Sequence, residues 1–431
     1  MVFNVFVRRN RGALALAESA VVQTKSEGAG AFLCAELARG HELEIIRFVE
    51  MMVNDAYIAR SSDIHLDPRM SGVMIRFRVD GILEDIREMP RSIHNEVISR
   101  IKILCGLRTD EHQAAQDGRF RLALLSGGSV DVRASIVPTY YGENAVMRIL
   151  SDQAADFTLD ALHFTPENQE KVVRAAKKPH GMILATGPTG SGKTTTLYTL
   201  VKMLNVPDIS IITIEDPIEY SISGINQIQV NARTELTFAN GLRSMLRQDP
   251  NIIMVGEIRD VETAGLAVNI ALTGHLVLST LHTNDAPTTL PRLLDMKVEP
   301  YLIASTVNIA IGQRLVRRIC EKCKKAHTLT QLERNSLEAA IRAEFLSRFS
   351  TFYSGLGCDA CNNTGYHGRI GVHEVLEIDQ AIRDALLRKA SAEEIRMLGV
   401  QQGMVPMIED GFCKAAKGMT TIEEILRMRY E

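Results

Sequence analysis

The chain has 431 residues, 45% of them hydrophobic and 23% Asp, Glu, Lys or Arg, a balance that excludes an intrinsically disordered protein. Its 49 basic and 52 acidic residues leave a net charge of −3, which argues against a chain-wide nucleic-acid footprint but allows a local basic groove. No run of 18 apolar residues occurs, so no segment reads as membrane-spanning, and the length suggests about three domains or two with insertions.

The first twenty residues set Arg8, Arg9 and Arg11 ahead of Ala13-Leu14-Ala15-Leu16-Ala17. That apolar run is too short for a signal-peptide core and Glu18 interrupts it, so a cytoplasmic chain is expected. Residues 1–40 have no clear period, include the loose stretch Ser26-Glu27-Gly28-Ala29-Gly30, and read as an extension. Between Glu42 and Arg60, residues Ile46, Val49, Val53 and Ala56 recur at the spacing of an amphipathic helix. Two strand-like runs follow, Val73–Val79 and Ile82–Arg87, joined by Asp80-Gly81, which suits the positive φ angles of a two-residue hairpin. A helical stretch near Ile93–Leu107 precedes strands Gly118–Leu125 and Ser129–Val137, and Val146–Leu150 makes one more. These elements predict a small α+β domain over residues 41–151, with a connector at 152–164.

From Thr165 short apolar runs alternate with helices. Met182–Thr186, Ile209–Ile214, Ile252–Val255 and Leu276–Ser279 suit strands buried on both faces. Between the last two, Ala264, Ala267, Val268 and Ala271 mark one helix face, with Asp260 placed to cap it and Gly274 to end it. The alternation predicts a doubly wound α/β domain with a parallel sheet over residues 165–431, closed by helices in 376–431.

Gly187-Pro188-Thr189-Gly190-Ser191-Gly192-Lys193-Thr194 matches G-x-x-x-x-G-K-[ST] between a predicted strand and a predicted helix. Glycines let backbone N–H groups close around phosphate oxygens, and the helix start adds a favourable dipole. Lys193 would neutralise the β- and γ-phosphates and Thr194 would hold Mg²⁺; with Thr195 adjoining, the segment reads as the ATP-binding loop. Such a site also needs a carboxylate at a neighbouring strand end. The strand Ile252–Val255 runs into Gly256-Glu257, with Gly256 where an Asp is usual, so metal contact there would run through water. Glu257 is the leading candidate to orient or deprotonate the attacking water. A second acidic cluster, Glu215-Asp216-Pro217-x-Glu219, follows another strand and makes Glu215 a further catalytic candidate.

Seven cysteines do not suggest a disulfide scaffold, and Cys34, Cys105 and Cys413 read as small buried hydrophobes. The other four form two Cys-x-x-Cys pairs, Cys320/Cys323 and Cys358/Cys361, separated by 34 residues. Four thiolates suit a closed tetrahedral Zn²⁺ site with a structural rather than catalytic role. Gly355, Gly357 and Gly365 permit tight knuckle turns, and the long connection is expected to fold out as a helical arm within a zinc subdomain over 318–372. His327 and His367 are possible substitutes, although four Cys already complete the shell.

Taken in order, these residues resemble the type II secretion and type IV pilus assembly ATPases, from about Ser61 to Ile378. In the first domain the likeness lies in Ser62-Asp63-Ile64-His65, Arg76-Phe77-Arg78-Val79-Asp80-Gly81, Gln116-Asp117-Gly118-Arg119 and Val130-Asp131-Val132-Arg133. In the second it continues through the phosphate loop, Ile214-Glu215-Asp216-Pro217, the run Gly241–Pro250, and Val255-Gly256-Glu257-Ile258-Arg259-Asp260. It ends on the highly specific Thr273–Asn284, and the family shares the atypical Gly256.

The resemblance implies a RecA-like phosphate-loop domain behind a small PAS-like α+β domain. By the same resemblance Arg133, Arg148, Arg243 and Arg247 would contact nucleotide phosphates, and His282 and His275 would sense them. It further implies a homohexamer, peripheral to the inner membrane through a platform protein, that hydrolyses ATP to assemble a pilus or pseudopilus. Paired cysteines are found in assembly and secretion members and generally not in pilus retraction ATPases. Many members carry a further N-terminal domain; about 40 residues stand before the first recognisable domain here, either as a different anchor or with recruitment left to the platform alone. Pilus assembly, secretion and DNA-uptake machinery fit equally. The rivals are a retraction ATPase, a DNA translocase or conjugation ATPase, and a regulatory nucleotide-binding module without useful hydrolysis. The absence of Trp, 5% aromatics and the slightly acidic balance weigh against nucleic acid as a direct partner.

Overall fold

The computed structural model describes residues 30–39, 43–150, 158–330 and 343–428, together with 334, 337 and 341. Arg8–Glu18 with the rest of 1–29, and residue 151 with positions 152–157 of the expected connector, lie outside the described residues. The chain divides into two compact units, Met1–Ser151 and Asp152–Glu431.

In the first unit, α1 (Ala31–Leu37) and α2 (Ile45–Ile58) precede β1 (Ser61–Pro68), β2 (Val73–Val79) and β3 (Ile82–Met89). Then come α3 (His94–Leu104), β4 (Gln116–Ala123), β5 (Ser129–Thr139) and β6 (Gly142–Leu150). Leu33 is fully buried and its N–H donates to Asp55 Oδ2 at 2.7 Å, so the end of the expected extension is part of this core. The predicted Asp80-Gly81 turn has φ of 50° and 89°, the left-handed pair that a two-residue hairpin requires. All six strands pair antiparallel in the order β3-β2-β1-β6-β5-β4. Ile64, Leu66, Ile75, Phe77, Val132 and Met147 turn one sheet face towards Phe48, Met52 and Ile101 of the helices. The opposite face is polar.

The second unit starts with α4 (Pro166–Ala176), capped by Thr165 with Pro166 at the first helical position. There follow β7 (Gly181–Thr186), α5 (Lys193–Leu204), β8 (Ile211–Glu215), β9 (Asn226–Gln229), α6 (Phe238–Met245), β10 (Ile252–Val255), α7 (Val261–Leu272) and β11 (Leu276–Leu281). Asp260 caps α7 as expected, Oδ1 accepting from Thr263 N at 2.8 Å, and Gly274 just beyond its end has φ 105°. Beyond lie α8 (Thr289–Asp295), α9 (Pro300–Thr306), β12 (Val307–Ile319), β13 (Lys324–Thr328), α10 (Ala343–Leu346), β14 (Thr351–Gly355) and β15 (Tyr366–Glu377). Four helices close the unit: α11 (Gln380–Leu387), α12 (Ala392–Gln401), α13 (Met407–Ala416) and α14 (Ile422–Arg427).

Its sheet runs β15-β12-β7-β11-β10-β8-β9, parallel except for the edge strand β15. The expected parallel sheet is therefore mixed, because β12 and β15 flank the cysteine segment as the two arms of a long hairpin. Alternate residues of β7 feed two cores: Met182 and Leu184 face α7, α8 and α9, whereas Ile183 and Ala185 face α4 and α5. Helices on both faces explain why these strands read as unbroken apolar runs.

Candidate functional site

Strand register gathers the predicted groups at one end of this sheet. Thr186 pairs with Leu281, and Val255 with Ser279, so Gly187, Glu257 and His282 all leave their strands at the same level. Gly187, Gly190 and Gly192 have φ of 147°, 79° and 87°, conformations that a side chain would strain. A Cβ on Gly187 would lie 2.4 Å from the Gln313 carbonyl oxygen and 2.6 Å from Ser191 Oγ. Ser191 Oγ is buried without a hydrogen-bond partner, an orphaned donor inside the loop. The Lys193 side chain is buried and folds back, Nζ donating to the Gly187 and Pro188 carbonyls at 2.9 Å each. Burial lowers its pKa to about 8, with the Glu257 carboxylate opposing and Arg314 reinforcing the shift. A glycine cradle, an unspent hydroxyl and a lysine resting on carbonyls fit a polyphosphate. Thr194 and Thr195, both half-buried, sit in the first turn of α5 beside them.

Glu257 is 9% exposed. Its Oε1 meets an Arg259 guanidinium nitrogen at 2.6 Å, and its Oε2 lies 3.1 Å from His282 Nε2. Gly256, the position usually held by Asp, passes close to β8: a Cβ there would come within 3.3 Å of Glu215 Cα and of the Ile214 carbonyl oxygen. Arg259 belongs to the motif Val255–Asp260, where its pairing with Glu257 is visible only in three dimensions.

Glu215 is held from several sides. It is 2% exposed, and its oxygens accept from Thr213 Oγ1 at 2.5 Å, Gln227 Nε2 at 3.3 Å and the Tyr198 hydroxyl. Burial raises its pKa despite these bonds. The carboxylate is thus directed into the α5–β8–β9 packing.

His275 is not brought to the site. It precedes β11, its carbonyl accepts from Gly181 N at 3.1 Å, and its Nδ1 contacts the Ile270 carbonyl at 3.1 Å. At ~3.3 Å per strand residue it lies on the order of 20 Å from His282, at the opposite end of the sheet.

Arg243 and Arg247 are exposed on α6 and the turn after it. Arg243 pairs with Glu262 at 2.6 Å, and Arg247 donates to the Arg243 carbonyl at 2.9 Å. In the first unit, β pairing sets Arg78, Asp63, Arg148, Arg133 and Arg119 in one row across the polar face. Asp63 Oδ1 holds Arg148 Nε at 3.0 Å and Asp63 Oδ2 lies 3.4 Å from Arg78 Nε. Arg148, Arg133 and Arg119 thus stand directly opposite one another across three strands.

The four predicted cysteine sulfurs all lie within 4.8 Å of one another. Cys320–Cys358, Cys323–Cys361 and Cys358–Cys361 stand 3.8, 3.9 and 3.7 Å apart. A tetrahedron with metal–sulfur bonds of ~2.3 Å has edges of about 3.8 Å, so the donors fit. Gly355 and Gly365 cross so closely that a Cβ on Gly355 would meet the Gly365 oxygen at 2.0 Å. His327 belongs to β13 and joins no such cluster among the described residues. The connection between the pairs is partly a β-ribbon, β13 against β14, and not solely the helical arm expected.

A phosphate loop at the end of a parallel strand, with a carboxylate–histidine pair on the adjoining strand ends, defines a phosphate-loop α/β unit. The chain belongs to the type II/IV secretion system protein family, whose model matches residues 39–427. It is 45% identical over 389 residues to a type IV pilus assembly ATPase PilB of Thermus thermophilus, covering 89% of this chain and 43% of that protein. It is 42% identical over 388 residues to a type II secretion system protein E of Aeromonas hydrophila, covering 90% of this chain and 76% of that one. The chain therefore spans less than half the length of the Thermus relative. Among solved structures, the pilus retraction motor PilT with bound ADP matches at TM-score 0.61 and 25% identity, over 90% of this chain and 97% of that one. The Legionella pneumophila ATPase DotB matches in fold at TM-score 0.65 and 22% identity, over 89% and 95%.

Proposed function

We propose that this chain is an ATP-hydrolysing motor that powers assembly of a pilus or pseudopilus in type IV pilus biogenesis or type II secretion. The observation that carries the reading is the convergence of Lys193, the loop glycines and the Glu257–His282 pair at one sheet end. The names of the two relatives at 45% and 42% identity support assembly or secretion over retraction, since the retraction motor is matched at 25%.

In this reading Gly187–Thr195 bind ATP, and Lys193 exchanges two carbonyls for phosphate oxygens. Thr194 would hold Mg²⁺, which when bound would offset the charge of the terminal phosphates. Glu257 orients water, with Arg259 and His282 fixing its two oxygens. Glu215 positions the acidic box. Arg133, Arg148, Arg243 and Arg247 supply cations to the nucleotide, within one chain or across subunits. Zn²⁺ in the four-cysteine site has a structural role. We further assign a RecA-like second unit and a PAS-like first one, with the domains taken as 41–151 and 165–431, a zinc subdomain at 318–372 and closing helices at 376–431. A homohexamer, cytoplasmic and peripheral to the inner membrane through a platform protein, completes the reading; no described helix is long and apolar enough to cross a membrane.

Phosphate release by the purified chain tests it. Lys193→Ala abolishes turnover, whereas Glu257→Gln binds ATP and hydrolyses it at least a hundredfold more slowly. Normal turnover by Glu257→Gln would remove that carboxylate from the mechanism.

A further inference from the structure

The loop that carries His282 away from β11 is held on both sides. Towards the phosphate loop, Thr186 Oγ1 donates to the Thr283 carbonyl at 3.0 Å and accepts from Thr283 N at 3.1 Å. Thr186 is the last residue of β7, immediately before Gly187. Towards the closing helices, two carboxylates take over. Glu374 of β15 is 1% exposed and spends one oxygen on each side: Oε1 accepts from Ala286 N at 2.7 Å, Oε2 from Met407 N at 3.1 Å. Just before α8, Asp285 Oδ1 accepts from Thr288 N at 2.8 Å, while its Oδ2 pairs with Arg396 of α12. Gly312 of β12 leaves room for this arrangement, since a Cβ there would lie 2.8 Å from Glu374 Cγ and 2.9 Å from Ala286 N.

A buried carboxylate is expensive unless its oxygens are satisfied, and these are satisfied by backbone N–H groups of two separate segments. Removing such a bond strands an amide at the root of the 282–286 loop, only four residues from His282.

We propose that Glu374 and the Asp285–Arg396 pair are positioning residues for hydrolysis: they fasten the His282 loop to α12 and α13, so that His282 meets Glu257 in register. The closing helices are then part of the catalytic apparatus although none of their side chains touches nucleotide. This rests on the ATPase reading above, and wild-type turnover tests that reading separately.

The test uses the full chain with Glu374→Gln, Arg396→Ala, Arg396→Lys, His282→Ala and the double variant His282→Ala/Arg396→Ala. Steady-state phosphate release and equilibrium binding of Mg²⁺–ADP are measured on each. Glu374→Gln and Arg396→Ala should lower kcat at least fivefold while the ADP Kd moves less than twofold. Arg396→Lys, which keeps the charge, should fall between wild type and Arg396→Ala, and it carries the test if the alanine variant does not fold. The double variant should be no slower than the slower single one within twofold, because both changes act through one element. Unchanged kcat, a loss of kcat matched by an equal loss of ADP affinity, or effects that multiply in the double variant would each overturn the proposal. A wild-type chain that releases no phosphate would instead sink the ATPase reading.

Discussion

Lys193 offers a prediction whose size follows from its surroundings. Lys193 is 8% exposed as a residue and its pKa is lowered by burial from 10.5 to about 8. Triphosphate oxygens would replace the two carbonyls and return the pKa to ~10.5 or above, since an adjacent anion favours the charged form. At pH 8.5 the free site is then about one-quarter protonated and the bound site almost fully so, giving uptake of ~0.7 proton per nucleotide. At pH 7 the uptake falls to ~0.1. Titration calorimetry with Mg²⁺ and a non-hydrolysable ATP analogue, repeated in two buffers of different ionisation enthalpy, reads this number directly. The same shift sets a stability trend. Below pH 8 both folded and unfolded chains carry the charge and the burial penalty, of order 3 kcal/mol, is fully felt. Between 8 and 10.5 the unfolded chain binds more protons, so this contribution to stability rises with pH before levelling off. Zero uptake, or proton release, at pH 8.5 would refute the assignment of a desolvated lysine that awaits phosphate.

The other predictions concern backbone approach and charge. Gly355→Ala would force a Cβ against the Gly365 oxygen, so the purified variant should lose most of its bound zinc by elemental analysis; full occupancy would show that the two knuckles need not meet. Cys358→Ser should do the same and lower the thermal midpoint by several degrees, a shift that added Zn²⁺ does not reverse. Gly256→Ala should cost about 1–2 kcal/mol in denaturant unfolding, from a contact at 3.3 Å with the Ile214–Glu215 backbone. Gly256→Asp should cost more, because it adds a carboxylate beside two buried ones, and an unchanged midpoint would remove the steric explanation of that glycine. Arg148→Ala should reduce turnover at least tenfold and leave stability within ~1 kcal/mol, since its pair with Asp63 is more than half exposed on the arginine side.

Most of the second unit was legible because parallel strands buried on both faces announce themselves as apolar runs, and β7, β8, β10 and β11 all did. The first unit yielded its hairpin through Asp80-Gly81 but hid β1. That strand alternates Asp63, Ile64, His65, Leu66 and Asp67, a period-two signal carried by only two apolar side chains, and its polar half faces away from the core. The strands β12 and β15 escaped for another reason. Their pairing closes across the cysteine segment, so neither the antiparallel edge nor the place of Gln313 beside the phosphate loop follows from local pattern. Gln313 Oε1 accepts from Thr196 Oγ1 at 2.7 Å, a contact between residues 117 apart in sequence. His275 shows the converse failure: the motif Thr273–Asn284 joins two histidines that a strand keeps at opposite ends of the sheet.

Glu215 and Glu257 show why residue type at a strand end is an insufficient guide to chemistry. Both follow apolar strands, both are nearly buried, and both lie at the same end of the sheet. Glu215 is surrounded by Thr213, Gln227 and Tyr198, all neutral donors, and burial raises its pKa. Glu257 is flanked instead by the Arg259 guanidinium and by His282, with the Lys193 ammonium near enough to feel its charge. A carboxylate flanked by a guanidinium and an imidazole has both oxygens fixed at the phosphate-loop end of the sheet, whereas one sealed among hydroxyls and an amide holds its neighbours still. On the proposed reading the two glutamates divide by what surrounds them, and Glu215→Gln should lower stability more than turnover, the reverse of Glu257→Gln. Comparable losses of turnover in both, at equal thermal midpoints, would refute that division.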